Sequence, residues 1–213
     1  MSSFQKRLSK IAQIKNHFHI LIVMLLLQVL NTFCFGQAVK EQQLIITVQQ
    51  IVTAFSKQDS AAVAKYISKK TGLYQLDRVG VFDHYNHFTT LSFSDTTYPQ
   101  VLFRQSKGVQ LPSVKYAKLP TWDCDKGVWS KKGLFVDTTK TSHLLSQICK
   151  VVNKNKPGNI PVKTVQYFYH LENKSRRIVL FDNNGIELAF YLSYLNGTWY
   201  LTIIDNVSSD CSS

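Results

Sequence analysis

The chain has 213 residues with 25 Lys or Arg and 13 Asp or Glu, so its formal net charge is +12 at pH 7. Its length fits one domain of ordinary size. The lysines are spread along the chain rather than gathered among aromatic side chains, which argues against a nucleic-acid partner. The sequence also has no phosphate-binding glycine loop, nucleophile elbow, zinc-binding helix or Cys-x-x-Cys pair. It therefore predicts no cofactor and no metal.

The first residues predict an export signal. A basic leader precedes an apolar run at residues 20–30, and residues 34–36 place small side chains where signal peptidase requires them. We expect cleavage after residue 36, leaving one domain at residues 37–213 in the periplasm or outside the cell. Removing four basic residues with the leader lowers the net charge from +12 to +8. The alternative is a membrane anchor through residues 20–30, although a spanning helix needs about 20 residues.

Three cysteines follow the leader, and an oxidising compartment favours one disulfide and one buried thiol. Cys149 shares a helical stripe with Leu145 and Ile148, which predicts a core thiol. Cys124 and Cys211 lie in polar, irregular segments, so we expect them to pair. A catalytic role for Cys149 is disfavoured, because an apolar site raises the pKa of a thiol.

The mature chain begins with a predicted helical hairpin. Apolar residues recur at three and four positions from Gln42 to Lys57, which is the helical period. Asp59 or Ser60 can cap a second helix over Ala61–Lys70, and Gly72 stands at its stop position.

The middle of the chain changes to alternating and aromatic residues. Residues 73–103 predict short strands, among whose apolar positions are Leu91, Phe93, Val101 and Phe103. Residues 105–125 lack a clear period and predict a loop or a broken strand. Thr141 or Ser142 can then cap a third helix that runs to about Asn153.

The last fifty residues contain four β-rich runs: Lys163–Leu171, Arg176–Asp182, Ile186–Leu195 and Thr198–Asp205. Asn196-Gly197 supplies the positive φ angles of a tight hairpin. The predicted fold is α+β, with a helical hairpin and a further helix packed on a curved antiparallel sheet that ends in a four-stranded meander.

This order of elements, ending in the segment 196–205, resembles the nuclear transport factor 2-like superfamily, a cone of helices against a strongly bent sheet. The segments 35–37, 80–84, 129–133 and 210–212 are also similar to those of uncharacterised exported proteins of Bacteroidetes. The superfamily contains isomerases, dehydratases, hydrolases and binding modules. The resemblance therefore implies a fold but no reaction, and no catalytic residue is carried over from it.

Asp83, His84 and His87 form the densest local group of titratable side chains. On a helix, His84 and His87 would share a face and could bind a divalent ion or act as general bases. On a strand they would point to opposite sides, and the aromatic surroundings favour a strand or an irregular segment. The simpler interpretation is a partly buried, hydrogen-bonded pair of histidines.

A second candidate group lies in the first run of the predicted meander. His170 could line a pocket with Tyr167 or Tyr169, but strand alternation would place His170 opposite both tyrosines. Large amphipathic rings suit a sugar or aromatic ligand, and they are also ordinary core and rim residues.

The function expected from these features is that of an exported, non-catalytic ligand-binding or interaction module, as a monomer or a homodimer. Its partner would be an unknown small molecule or envelope component. The alternative is a small pocket enzyme, an isomerase, dehydratase or hydrolase, with Asp83, His84, His87 or His170 as acid and base. A third reading, a basic envelope-surface protein that binds anionic glycans, rests on the charge of +8.

Overall fold

The structure is a computed structural model. It describes residues 24, 36–94, 111–139, 143–183 and 185–211. The predicted export signal and the alternative anchor at residues 20–30 lie almost entirely outside these ranges. Within them, no helix combines the length and the apolar character needed to cross a bilayer. The chain divides into two compact units, residues 1–44 and 45–213. The boundary falls within the first helix, and the strands and later helices described below belong to the second unit.

Two helices open the described part of the chain. Residues 36–57 are helical (α1), and α2 spans Ser60–Ala64. The Asp59 side chain caps α2 by accepting a hydrogen bond from the Ala62 amide at 2.9 Å. Residues at the predicted helical spacing of α1 are fully buried in the second unit: Val48, Ile51, Val52 and Phe55. Both predicted helices are thus confirmed, and the second is shorter than expected.

The strands of the described residues are β1 Leu73–Val79, β2 Phe82–Phe88, β3 Val114–Tyr116, β4 Trp122–Asp123, β5 Val128–Trp129, β6 Gly133–Val136, β7 Ser175–Phe181, β8 Glu187–Leu195 and β9 Thr198–Asp205. Seven of these form one sheet in the order β2-β1-β9-β8-β7-β6-β3, and β4 pairs with β5. Neighbours in the large sheet are antiparallel except β1 with β9 and β3 with β6. The α+β class is confirmed.

Two further helices, α3 Leu144–Asn155 and α4 Val162–Asn173, pack together over one face of this sheet. Their buried side chains join those of β1, β8 and β9 in one core cluster: Tyr74, Leu76, Leu145, Ile148, Cys149, Phe168, Leu171, Tyr191 and Ile203. The buried Glu172 carboxylate of α4 accepts hydrogen bonds from the Leu145 and Ser146 amides at 2.7 and 3.3 Å. Glu172 therefore satisfies free amides in the first turn of α3.

The prediction that Lys163–Leu171 forms a strand is wrong, because these residues lie within α4. The aromatic and β-branched content of the run favours a strand, but burial follows the helical period. Phe168, Leu171 and Glu172 are buried, and the intervening residues are exposed or half-buried. Four neighbouring antiparallel strands do exist, but the first of them is β6 rather than this run.

The other predicted runs of the carboxy-terminal region are confirmed. Strands β7, β8 and β9 match them within one residue at each end. Asn196 and Gly197 have φ angles of 50° and 85°, as a tight hairpin of this kind requires.

The middle region follows the predictions in part. Strands β1 and β2 lie within residues 73–103, but Leu91 and Phe93 are outside any strand, and Val101 and Phe103 lie outside the described residues. The predicted caps of the third helix, at residues 141–142, are also outside them, and His143 occupies the N-cap position.

The predicted cysteine chemistry is confirmed. Cys124 and Cys211 are joined by a disulfide with an S–S distance of 2.07 Å, and Cys149 is a buried free thiol. The Trp122 indole Nε1 lies 2.9 Å from Cys211 Sγ. The disulfide therefore ties the β4–β5 hairpin to the carboxy-terminal segment.

Candidate functional site

Strand β2 separates the Asp83, His84 and His87 group, because side chains alternate between the two faces of a strand. Asp83 and His87 lie on one face and His84 lies on the other. The Asp83 carboxylate pairs with the Arg78 guanidinium. This ion pair raises the pKa of Arg78 through the hydrogen bond to Asp83.

His87 is held by contacts that stabilise the turn before β1. Its Nε2 lies 2.9 Å from the carbonyl oxygen of Thr71. A carbonyl oxygen can only accept, so Nε2 carries the proton in this bond. The ring stacks on Tyr74 with centroids 4.6 Å apart. A Cβ at residue 72 would collide with the imidazole, and Gly72 has a φ of 71°, so this position suits glycine for two reasons.

His84 lies across from Asp77 of β1. The buried Asp77 carboxylate accepts hydrogen bonds from three side-chain amides, those of Gln75 at 3.0 Å, Asn206 at 2.8 Å and Asn86 at 3.3 Å. Its acceptor capacity is largely used within the protein. Among the described residues, no three His, Cys, Asp or Glu side chains are grouped so that they could hold a metal ion.

A pocket of about 260 Å³ lies along one side of α4 and is called the α4 pocket below. Tyr167, His170, Leu171 and Lys174 line it from the helix. Residues three and four apart share a helix face, so the helical period brings Tyr167, His170 and Lys174 to the same side. The strand prediction had placed Tyr167 and His170 on opposite sides.

Two other segments complete the α4 pocket. The turn after α2 contributes Lys70 and Thr71, and the β8–β9 hairpin contributes Leu195, Asn196 and Tyr200. The His87–Thr71 contact fixes the position of the first segment, and the tight turn at Asn196 fixes that of the second. The described lining residues include no carboxylate.

Tyr74 supports the α4 pocket from within the core. It is 8% exposed, and burial together with the neighbouring phenols of Tyr167 and Tyr85 raises its pKa to about 12. A polar contact between the Tyr74 and Tyr167 side chains adds to this increase in the pKa of Tyr74.

Tyr169, the third residue predicted to bind a ligand, lies outside the α4 pocket. Its ring stacks on His143 with centroids 4.6 Å apart and an interplanar angle of 15°. Tyr167 and Tyr169 are equally exposed, at 43% each. The two tyrosines thus have the same exposure on the same helix but different surroundings.

Sequence reasoning missed Lys70, Lys174 and Tyr200 as lining residues. Lys174 could have been found from the helical spacing Tyr167, His170, Lys174 if α4 had been recognised. Lys70 and Tyr200 reach the α4 pocket through tertiary packing, and no local sequence signal marks them.

A larger depression of about 530 Å³ lies beside the edge strand β3. Its lining includes Lys115, Lys132 and Asp182, and the Asp182 carboxylate accepts a hydrogen bond from the Ile186 amide at 2.9 Å. Its described lining contains none of the predicted site residues.

Models of known protein families, curated proteins and solved structures were all compared with this chain, and none of them matches it. The similarity to the nuclear transport factor 2-like superfamily therefore stays a prediction. The α4 pocket is therefore the structural basis for the function proposed below.

Proposed function

We propose that this protein is an exported, non-catalytic module that binds a small ligand in the α4 pocket. The observation that carries the proposal is the convergence of Tyr167, His170 and Tyr200 from two separate elements onto one concavity. Binding pockets combine apolar and aromatic walls with a few well-placed polar groups. Leu171 and Leu195 supply apolar surface beside these rings.

The distribution of acid and base groups favours binding over catalysis. General acid–base catalysis requires groups that can reach the same reacting atoms. His84 and His87 lie on opposite faces of β2, and His170 lies on α4. Asp83 is engaged by Arg78. The enzyme alternative would have to rely on His170 without a carboxylate among the described lining residues.

Export is part of the same proposal. The disulfide between Cys124 and Cys211 is typical of proteins that fold in an oxidising compartment, and the leader at residues 1–36 has the features of an export signal. A nuclear transport factor 2-like domain is the fold family that we propose for residues 37–213.

Some of the basic charge behind the anionic-glycan reading is engaged within the protein. The Arg177 guanidinium Nη2 lies 2.7 Å from the buried Asp205 carboxylate, and Lys126 pairs with Asp123 at 2.9 Å. A broad basic surface is therefore a weaker basis for function than the α4 pocket.

The proposal can be tested by screening a small-molecule library for compounds that raise the melting temperature of the purified mature protein. A bound compound stabilises the folded state by mass action. We expect compounds that stabilise the wild type and Tyr169→Ala but not Tyr167→Ala. Mass spectrometry should then recover these compounds unchanged after prolonged incubation.

Tyr169→Ala is the matched control, since Tyr169 has the same residue type, helix and exposure as Tyr167 but lies outside the α4 pocket. Stabilisation that survives in Tyr167→Ala would contradict the proposed site. Conversion of a bound compound into a product would favour the enzyme alternative.

A further inference from the structure

The charges around the α4 pocket are of one sign. Lys70 and Lys174 line it from two different segments, the turn after α2 and the end of α4. The described residues place no carboxylate in this lining, and neither lysine forms an ion pair among them. Cations that converge without a counter-charge create a positive potential that attracts an anion.

The end of α4 opposes this potential only in part. Lys174 is the C-cap of α4, and its amide donates to the Leu171 carbonyl at 3.1 Å. The last carbonyls of a helix carry about half a negative charge. Two full positive charges from Lys70 and Lys174 exceed it, so the sign of the site stays positive.

Neutral donors and flat rings surround these cations. Tyr167 lines the α4 pocket and carries a phenol hydroxyl, which can donate or accept a hydrogen bond. Asn196 offers a side-chain amide from the hairpin, and Tyr200 offers a second ring. Tyrosine rings with nearby hydroxyl and amide groups suit a ligand that presents both C–H faces and hydroxyls.

The size of the pocket limits the ligand further. Its volume of about 260 Å³ is below the range of about 300–1,000 Å³ that is typical of drug-sized ligands. One substituted ring fits this volume better than a fused or extended ligand does.

We propose that the α4 pocket binds an acidic sugar, a single ring that carries a carboxylate or a phosphate. Lys70 and Lys174 would hold the oxyanion, and Tyr167 would donate to it or to a neighbouring hydroxyl. This inference rests on the proposed function and specifies the ligand of the same site.

Calorimetric titration with D-glucose, D-glucuronate and D-glucose 6-phosphate at low ionic strength tests the inference. We expect at least one acidic probe to bind about tenfold or more tightly than glucose. Lys70→Met and Lys174→Met should each weaken that binding about fivefold and weaken glucose binding less, because glucose carries no charge for the lysine to hold. The preference should shrink as salt is added.

Lys163→Met is the matched control, since Lys163 is an exposed lysine of α4 that does not line the pocket. A preference for glucuronate would identify a carboxylate as the anion, and a preference for the 6-phosphate would identify a phosphate.

Equal affinity for glucose and both acidic probes would overturn the inference, as would an equal loss in Lys163→Met and Lys174→Met. So would the failure of all three probes to bind. If the library screen still finds a Tyr167-dependent compound in that case, the proposed function stands and the inference alone falls.

Discussion

At the scale of single residues, two buried side chains stay protonated near neutral pH. Burial and the nearby Glu172 charge raise the pKa of the Cys149 thiol to about 12, and burial with the neighbouring phenols raises that of Tyr74 to about 12. The reactive form of a cysteine is the thiolate. Cys149 therefore contributes to packing rather than to nucleophilic chemistry.

Cys149 should resist alkylation in the folded protein. At pH 8, a thiol with a pKa of about 12 is ionised to roughly one part in ten thousand. We expect iodoacetamide to leave Cys149 unmodified until the protein is unfolded with denaturant, and then to label it rapidly. Mass spectrometry with the Cys124–Cys211 disulfide kept intact measures this. Fast labelling without unfolding would show an accessible, reactive thiol.

The sequence predicted some of these residues and missed others for physical reasons. Cys149 lies on a local helical stripe, and the polar surroundings of Cys124 and Cys211 set them apart, so local pattern was sufficient for the disulfide. Lys70 and Tyr200 are more than a hundred residues apart in sequence, and tertiary packing brings both into the lining of the α4 pocket. No local sequence pattern predicts that two such distant residues line one pocket.

At the scale of elements, α4 is where local preference and tertiary packing disagree. Its aromatic residues alternate as they would in a strand, with Val165, Tyr167 and Tyr169 in one series. The buried positions Phe168, Leu171 and Glu172 instead follow the helical spacing. Packing against α3 and the sheet outweighs β propensity here, because propensity is a weak prior.

Alanine exchange of Phe168 and Gln166 distinguishes these two readings. Phe168 is 2% exposed, and its ring centroid lies 4.9 Å from that of Tyr74. Phe168→Ala should lower the free energy of unfolding by about 3–5 kcal/mol. Gln166→Ala, at an exposed position, should change it by less than about 0.5 kcal/mol. Denaturant unfolding followed by circular dichroism measures both values.

On a strand, Gln166 and Phe168 would share one face and have similar environments. Comparable losses from the two exchanges would therefore contradict the helical assignment of α4.

At the scale of the whole molecule, segments that are distant in sequence pair with each other in the large sheet. Strand β9 lies between β8 and β1, and its parallel pairing with β1 joins the amino-terminal hairpin of strands to the carboxy-terminal meander. The β8–β9 pairing was predictable from Asn196-Gly197. The β1–β9 pairing was not, because no local turn connects those strands.

The disulfide adds a second long-range connection, since its cysteines have a sequence separation of 87. Cys124→Ser/Cys211→Ser should lower the free energy of unfolding by about 2–4 kcal/mol, because the cross-link restricts the unfolded chain. Denaturant unfolding of the wild type with and without reductant supplies the matched comparison. If the reduced wild type is as stable as the oxidised protein, the cross-link contributes nothing to stability.

The central claim is that a ligand binds where α4 meets the β8–β9 hairpin. The most direct measurement is NMR mapping of backbone amides on addition of the strongest compound from the thermal screen. We predict the largest shifts at residues 68–71, 167–174 and 195–200. Shifts that concentrate instead at residues 111–115 and 181–183 would place the binding site beside β3 and contradict the account.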